Sequence, residues 1–122
     1  FSGDGSLKMN IQEMATAVEE GANIKVVLMN NQSLGLVHQQ QNMFYGERYY
    51  ASDYRKPTDF VKIAEGFGMQ TFDLDQASDP RAMIAEAMAQ RGPCLIHCSI
   101  DVNQQVLPMV PPGAANTEMI GG

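Results

Sequence analysis

Two short polar motifs separated by an apolar run constrain the fold of this chain more than any other feature. Gly3-Asp4-Gly5-Ser6 opens the chain, and Asn30-Asn31 follows the apolar run at residues 24–29. Positions 6 to 29 separate the motifs, and this gap of 24 residues accommodates one helix and one strand. Apolar residues recur there at helical spacing, followed by a glycine suited to a left-handed stop: Leu7, Ile11, Met14, Ala15, Val18 and Gly21.

A strand–helix–strand unit of this kind returns Asn31 to the sheet edge where Asp4 lies. Asp4 offers a carboxylate, Asn31 a neutral side-chain carbonyl, and the turn after Asn31 exposes backbone carbonyls. Such oxygens suit magnesium or calcium, and sparsely ligated magnesium usually also holds substrate phosphates. Gly3 and Gly5 permit close backbone approach, and the amides that open the helix favour an anion. The two motifs together predict a metal–diphosphate site at the carboxyl edge of a parallel sheet, although Gly-Asp-Gly alone is also a common turn.

The remainder alternates helices and strands. Residues 34–44 can form a short helix that Gly46 interrupts, and strands are predicted at residues 70–74 and 94–100. A helix that starts after Thr58-Asp59 carries Phe60, Ile63, Ala64 and Phe67 on one face and is ended by Gly66 and Gly68. The next begins at Asp79-Pro80 and stops at Gly92-Pro93, with a predicted buried stripe of Met83, Ile84, Ala87 and Met88. This order predicts an α/β fold, a three-layer open parallel sheet with helices on both faces.

Composition limits the function classes. The chain has 122 residues, enough for a single domain spanning residues 1–122, and 44% apolar with 18% charged residues is typical of a soluble globular protein. A net charge of −6 disfavours nucleic acid and anionic membranes as partners, and no apolar run approaches a membrane span. Only two residues precede the first motif, where a full strand is expected, so we expect a piece of a longer protein.

The cysteines and histidines favour structural roles. Cys94 and Cys98 lie on the same face of one predicted strand, about 13 Å apart, which is too far for a mutual disulfide. We therefore expect reduced thiols in a cytoplasmic protein. His97 is expected to be a hydrogen-bonded core residue. His38 lies a few residues after Asn31, and the sequence leaves open whether it lines the predicted site, while a proton-transfer role is disfavoured.

Several stretches along the chain resemble one enzyme family. Gly3-Asp4-Gly5 and Asn30-Asn31 at this spacing look like the thiamine-diphosphate fingerprint. The whole chain is similar to the carboxyl-terminal domain of the catalytic subunit of acetolactate synthase (acetohydroxyacid synthase). The further stretches that carry the resemblance are Met9-Asn10-Ile11-Gln12-Glu13, Gly35-Leu36-Val37, Gln39-Gln40-Gln41, Phe44-Tyr45 and Pro108-Met109-Val110-Pro111-Pro112-Gly113-Ala114-Ala115.

The resemblance implies roles for individual residues. Asp4 and Asn31 would bind Mg²⁺ through side chains and Ser33 through its backbone carbonyl. The Mg²⁺ would bridge the phosphates of thiamine diphosphate, with the amides of Gly5 and Ser6 assisting. The implied cofactor-binding residues are Gly3, Asp4, Gly5, Ser6, Asn31, Ser33, Gly35 and Leu36, and Val37 and Gln40 are the implied substrate residues. The implied reaction decarboxylates pyruvate and condenses the product with a second 2-ketoacid, pyruvate or 2-ketobutyrate, in branched-chain amino-acid biosynthesis.

The resemblance also implies partners that this chain lacks. The activating glutamate is expected in an amino-terminal domain and FAD in a middle domain, so no catalytic residue is expected in this chain, which would be inactive alone. The full enzyme is expected to be a homodimer with a possible regulatory subunit. Gln40 stands where most synthases carry Trp, which puts the usual preference for 2-ketobutyrate in doubt, and Leu36 replaces a frequent Met. A non-catalytic cofactor-binding or assembly module, and a domain of another thiamine-diphosphate decarboxylase, remain open alternatives.

Overall fold

Four parallel strands form one sheet in the computed structural model, which describes residues 1–121. The strands are β1 (Ser2–Gly3), β2 (Lys25–Asn30), β3 (Gln70–Asp73) and β4 (Cys94–Ser99), in the spatial order β1-β2-β4-β3. The helices are α1 (Asp4–Met9), α2 (Glu13–Glu19), α3 (Gly35–Phe44), α4 (Phe60–Gly66) and α5 (Pro80–Ala89), with a short 3₁₀ turn at Leu74–Gln76. The predicted α/β fold with an open parallel sheet is confirmed.

The two faces of the sheet bury separate apolar clusters. On one face Leu28 and Leu95 pack with residues of α2 and α4 and with one residue of the following turn: Met14, Ala17, Phe60, Ala64 and Met69. On the other face Cys94 and Ile96 pack with Ala87 of α5 and with partly buried neighbours: Val27, Phe72 and Leu74. Consecutive strand residues therefore point to opposite layers, which confirms helices on both faces.

The prediction of one continuous helix after Gly5 is wrong. The chain forms α1 and α2 with a break at residues 10–12, where the Asn10 backbone (φ −137°) leaves the helical region. The Asn10 carbonyl accepts a hydrogen bond from the Glu13 amide at 3.0 Å and so restarts the helical path. Leu7 and Ile11 still pack against the core on both sides of the break, which is why the apolar periodicity did not reveal it.

The predicted buried stripe of α5 is only partly correct. Ala87 is fully buried, and Met83 is half-buried, but the side chains of Ile84 and Met88 are 41% and 60% exposed. Met88 therefore does not serve core packing in this chain. The helix contacts the sheet mainly through Ala87, whose small side chain lets the helix backbone approach closely.

Other local predictions are confirmed. Asp59 and Asp79 cap α4 and α5 by accepting hydrogen bonds from the amides of Lys62 and Ala82, at 3.0 and 3.1 Å. Cys94 and Cys98 are free thiols, as expected. Within residues 1–121 no helix combines the length and the apolar character that crossing a bilayer requires.

Candidate functional site

The sheet topology brings the two polar motifs together at one edge. β1 pairs in parallel with β2, with Gly3 opposite Met29, so Asp4 and the Asn30-Asn31 turn both follow the carboxyl ends of neighbouring strands. They line one cavity of about 440 Å³. Its walls include all eight predicted cofactor-binding residues and Val37: Gly3, Asp4, Gly5, Ser6, Asn31, Ser33, Gly35, Leu36 and Val37. These nine residues therefore lie around a single cavity.

Asp4 is the charged group of this cavity. Its side chain is 2% exposed, and within residues 1–121 its Oδ2 atom is buried without a hydrogen-bond partner. A buried carboxylate oxygen without a donor is costly unless a cation or another donor meets it. Asp4 therefore fits a metal ligand better than a structural residue.

The turn after β2 holds the second set of oxygens in place. The Ser33 amide donates to Asn31 Oδ1 at 3.1 Å, which leaves that oxygen with a free lone pair. Among the described residues, the Ser33 carbonyl accepts no hydrogen bond. A Cβ atom on Gly35 would lie 2.5 Å from Asn31 Nδ2, closer than real contacts allow. Glycine at position 35 thus leaves space for the side-chain amide group of Asn31.

A distant segment at residues 52–54, which could not be connected to the site from the sequence, holds this turn in place and is called the clamp segment. The Ser33 hydroxyl donates to the Ser52 carbonyl at 3.0 Å and lies 2.9 Å from an Asp53 carboxylate oxygen, and the Leu34 amide also donates to the Ser52 carbonyl.

These contacts bring the Tyr54 hydroxyl to within 3.1 Å of where a Cβ on Gly5 would lie. Burial raises the pKa of Tyr54, and the nearby negative charge of Asp4 raises it further. Tyr54 therefore stays a neutral hydroxyl beside the carboxylate.

The carboxyl-terminal tail supplies another wall. The Gln39 amide group donates to the Val106 carbonyl at 3.1 Å and accepts from the Val106 amide at 2.8 Å. This reciprocal pair fastens the tail to α3, and Gln104 and Val106 thereby line the cavity. The resemblance drew attention to the Gln39-Gln40-Gln41 run, but the pairing of Gln39 with Val106 is visible only in the folded structure.

Gln40 lies outside the Asp4 cavity. It lines an adjoining cavity of about 320 Å³ together with Gln41, Tyr45 and Arg48, and Val37 belongs to both cavities. The two predicted substrate residues therefore share one surface at the outer end of the site.

His38 and His97 occupy different positions relative to the cavity. His38 is buried, pairs with Asp53 at 2.8 Å and stacks on Tyr49 with ring centroids 4.2 Å apart, and it lines a separate cavity of about 60 Å³. It supports the clamp segment and does not face Asp4. His97 bonds Asp73 at 2.8 Å and Asn30 at 3.0 Å, which agrees with the expected hydrogen-bonded histidine.

Comparison with known proteins places this geometry in a family. Residues 1–98 match the thiamine pyrophosphate enzyme, C-terminal TPP binding domain. The chain belongs to the thiamine pyrophosphate enzyme family. The motif spacing and the strand-edge cavity of this thiamine pyrophosphate domain are therefore features of a cofactor-binding fold, and thiamine diphosphate is another name for that cofactor.

Three relatives give the resemblance more detail. This thiamine pyrophosphate domain is 56% identical over 121 residues to the acetolactate synthase isozyme 1 large subunit of Escherichia coli (strain K12), covering 99% of the chain and 22% of that protein. It is 40% identical over 120 residues to the isozyme 2 large subunit of the same organism, covering 98% and 22%. It is also 40% identical over 121 residues to the acetolactate synthase large subunit of Porphyra purpurea, covering 98% and 20%. The predicted resemblance is confirmed, and the chain spans about a fifth of the length of these relatives.

Proposed function

We propose that this chain is the diphosphate-binding and Mg²⁺-binding domain of an acetolactate synthase. The observation that carries the proposal is the buried, unpartnered Asp4 oxygen in the cavity that Asn31 and Ser33 also line. One carboxylate and two neutral carbonyl oxygens form a hard ligand set, which matches Mg²⁺ in sites where phosphates and water complete the coordination. The donors of the cavity therefore fit the metal and the cofactor.

Each part of the cavity would have a defined task. Asp4 and Asn31 would hold Mg²⁺ through side chains and Ser33 through its carbonyl, while the first-turn amides of Gly5 and Ser6, which have no intrahelical partner, would donate to phosphate oxygens. Thiamine diphosphate, when bound, would supply the electron sink for decarboxylating a 2-ketoacid. The residues of this chain would bind and orient that cofactor.

The outer rim of the cavity supports a shared site. The apolar side chains of Leu34, Leu36 and Val37 are substantially exposed there, Leu36 by 62%. Adjoining exposed apolar side chains mark surfaces that a ligand or another part of the protein covers. In the proposed enzyme, the rest of the cofactor and an amino-terminal domain that carries the activating glutamate would cover them.

The proposed reaction condenses pyruvate, after decarboxylation, with a second 2-ketoacid in branched-chain amino-acid biosynthesis. The three relatives, which are all large subunits of acetolactate synthases, support it. Val37 and Gln40 would border the acceptor ketoacid in the adjoining cavity. The complete protein would also hold FAD in a middle domain, form a homodimer, bind a regulatory subunit and work in the cytoplasm. The isolated chain would bind cofactor without consuming pyruvate.

The decisive experiment replaces the orphan carboxylate in the complete protein. Asp4→Asn keeps the shape but removes the charge, and we expect calorimetry to detect no Mg²⁺-dependent binding of thiamine diphosphate. Without metal, the free energy of unfolding should stay equal or rise, because a buried carboxylate oxygen without a donor is lost. Glu86→Ala, which removes an exposed negative charge on α5, is the matched control and should bind normally. Unchanged binding by Asp4→Asn would overturn the metal-site assignment.

A further inference from the structure

A series of partly buried polar contacts connects the far side of the sheet to the turn that carries Asn31. Asp73 at the end of β3 contacts His97 Nδ1 at 2.8 Å, and His97 Nε2 on β4 contacts Asn30 Nδ2 at 3.0 Å. Asn30 Oδ1 in turn accepts from the Gln32 amide at 3.2 Å. The contacts cross three neighbouring strands, β3, β4 and β2, and end in the backbone between Asn31 and Ser33.

One backbone amide reveals the direction of every hydrogen bond in this series of contacts. The Gln32 N–H can only donate, so the Asn30 atom that faces it is the side-chain oxygen. The Asn30 NH₂ group then faces His97 Nε2, which must accept and therefore carries no proton. The imidazole proton lies on Nδ1 and points at Asp73, with an Asp75 oxygen 3.6 Å away. His97 is thus neutral, in a single tautomer that Asp73 selects.

The segment that this arrangement supports has an unusual backbone. Gln32 has φ +55°, a left-handed conformation that residues other than glycine adopt only when their surroundings hold them there. Its amide has Asn30 Oδ1 as partner, and Asn30 itself is 5% exposed. A rotated Asn30 amide would present NH₂ to the Gln32 N–H and lose that bond. The orientation of Asn30 therefore determines whether the turn keeps its shape.

The same residues could suggest a second metal site, because Asp73, Asp75 and His97 place ligand atoms within 4.8 Å of one another. Their atoms already have partners, however. Both imidazole nitrogens are hydrogen-bonded, and the Asp75 carboxylate accepts from the amide and hydroxyl of Ser99. This cluster is built to hold hydrogen bonds rather than an ion.

We propose that His97 is a positioning residue for the metal-binding turn. Asp73 fixes the tautomer of His97, His97 fixes the orientation of Asn30, and Asn30 holds the left-handed Gln32 between the two metal-binding positions Asn31 and Ser33. This inference rests on the proposed function for what the turn binds. The hydrogen-bond chain itself is a property of the protein without cofactor.

Two amide substitutions test the direction of the chain in the complete protein. His97→Gln can place a carbonyl oxygen near the former Nε2 position and still accept from Asn30. His97→Asn reaches only the Nδ1 position and leaves the Asn30 NH₂ without an acceptor. Without cofactor, we expect hydrogen exchange at the Gln32 amide to become about ten-fold faster in His97→Asn and to change by less than about three-fold in His97→Gln. The Kd for thiamine diphosphate at saturating Mg²⁺ should follow the same order, with about ten-fold weakening only in His97→Asn.

A third variant covers the case in which His97→Asn does not fold. Asp73→Ala leaves the imidazole in place but removes the acceptor that selects its tautomer, and we expect Gln32 exchange between the values of the two His97 variants. Equal exchange and equal affinity in His97→Gln and His97→Asn, whether normal or impaired, would overturn the proposal, because packing alone would then explain the residue. Asp4→Asn tests the proposed function separately from the role of His97. If it still binds cofactor with Mg²⁺, the proposed function fails, whereas Gln32 exchange still decides the role of His97.

Discussion

Gly35→Ala probes the site at the point where the structure leaves least room. The new Cβ would lie 2.5 Å from Asn31 Nδ2, so the Asn31 amide has to retreat by about 0.9 Å to reach ordinary contact at 3.4 Å. Mg²⁺ requires near-octahedral ligands at about 2.0 to 2.1 Å, so a displacement of this size would remove Asn31 from the proposed coordination sphere. We expect the affinity for Mg²⁺ with thiamine diphosphate to fall about 10- to 100-fold, or roughly 1.4 to 2.7 kcal/mol.

The effect on stability should be small, which separates this substitution from simple damage to the fold. Alanine in place of glycine at the first residue of α3 gains about 0.4 to 1 kcal/mol from reduced freedom of the unfolded chain. Loss of the hydrogen bond from the Ser33 amide to Asn31 costs about 0.5 to 1.5 kcal/mol. The two terms nearly cancel, so the free energy of unfolding should change by less than about 1 kcal/mol.

Gly66→Ala is the matched control. Gly66 ends α4 and has no left-handed φ, and a Cβ there would meet no atom of residues 1–121 within 4 Å. Urea unfolding with a chelator measures stability, and calorimetric titration measures affinity. Binding by Gly35→Ala within two-fold of the unsubstituted protein, or an equal loss in Gly66→Ala, would refute the argument that Gly35 makes room for a metal-binding amide.

Two further predictions concern the rim of the site and the sheet. Gln40→Trp should extend the apolar surface beside Val37. In the complete enzyme offered both acceptors, we expect the product ratio to shift toward the 2-ketobutyrate product by about ten-fold or more, because one methylene in an apolar pocket permits selectivity of that size. An unchanged ratio with normal pyruvate turnover would place Gln40 away from the acceptor. Burial disfavours ionisation of Asp75, but hydrogen bonds from Ser99 outweigh it and lower the pKa of the Asp75 carboxyl below 3.8. That stabilisation is present above pH 3.8 and is lost as the pH falls through the folded-state value, so the destabilisation caused by Asp75→Asn at pH 7 should shrink below pH 3.8 in urea unfolding, and a pH-independent difference would contradict it.

Most of the fold could be predicted because its signals are local. The caps Asp59 and Asp79 each lie one residue before the start of a helix, and apolar runs in the sequence indicate the strands β2 and β4. The break at Asn10 and the exposure of Met88 could not be predicted, because periodicity records which side chains are apolar and not what covers them. An apolar stripe can continue across a helix break or face outward from the surface.

The residues of the site also differ in whether a local sequence signal predicts them. Parallel topology alone brings Asp4 and Asn31 to one edge, and the motif spacing implies that topology, so the proximity of these two residues could be predicted. Tyr54 comes next to Gly5, and Val106 lines the cavity, through contacts made 20 and more positions away from the motifs, and no local pattern specifies them. Gly35 is intermediate, since the resemblance named the residue, while the reason for it, the proximity of the Asn31 amide, is visible only in three dimensions.

The turn at residues 30–34 is a part of the candidate site that hydrophobic patterning does not describe. Asn30 and Ser33 are buried polar residues, and Gln32 has a left-handed backbone, each of which costs folding free energy unless compensated. The compensation comes from three directions at once: the sheet through His97, the clamp segment through Ser52, and helix α3 through the space left by Gly35. Because these constraints act on the turn in the absence of any ligand, its oxygens are held in place before any cation binds, and binding of the proposed Mg²⁺ would cost little conformational entropy. Among the described residues that line the Asp4 cavity, Asp4 alone has a buried side-chain oxygen without a hydrogen-bond partner, and that is the group a cation would satisfy.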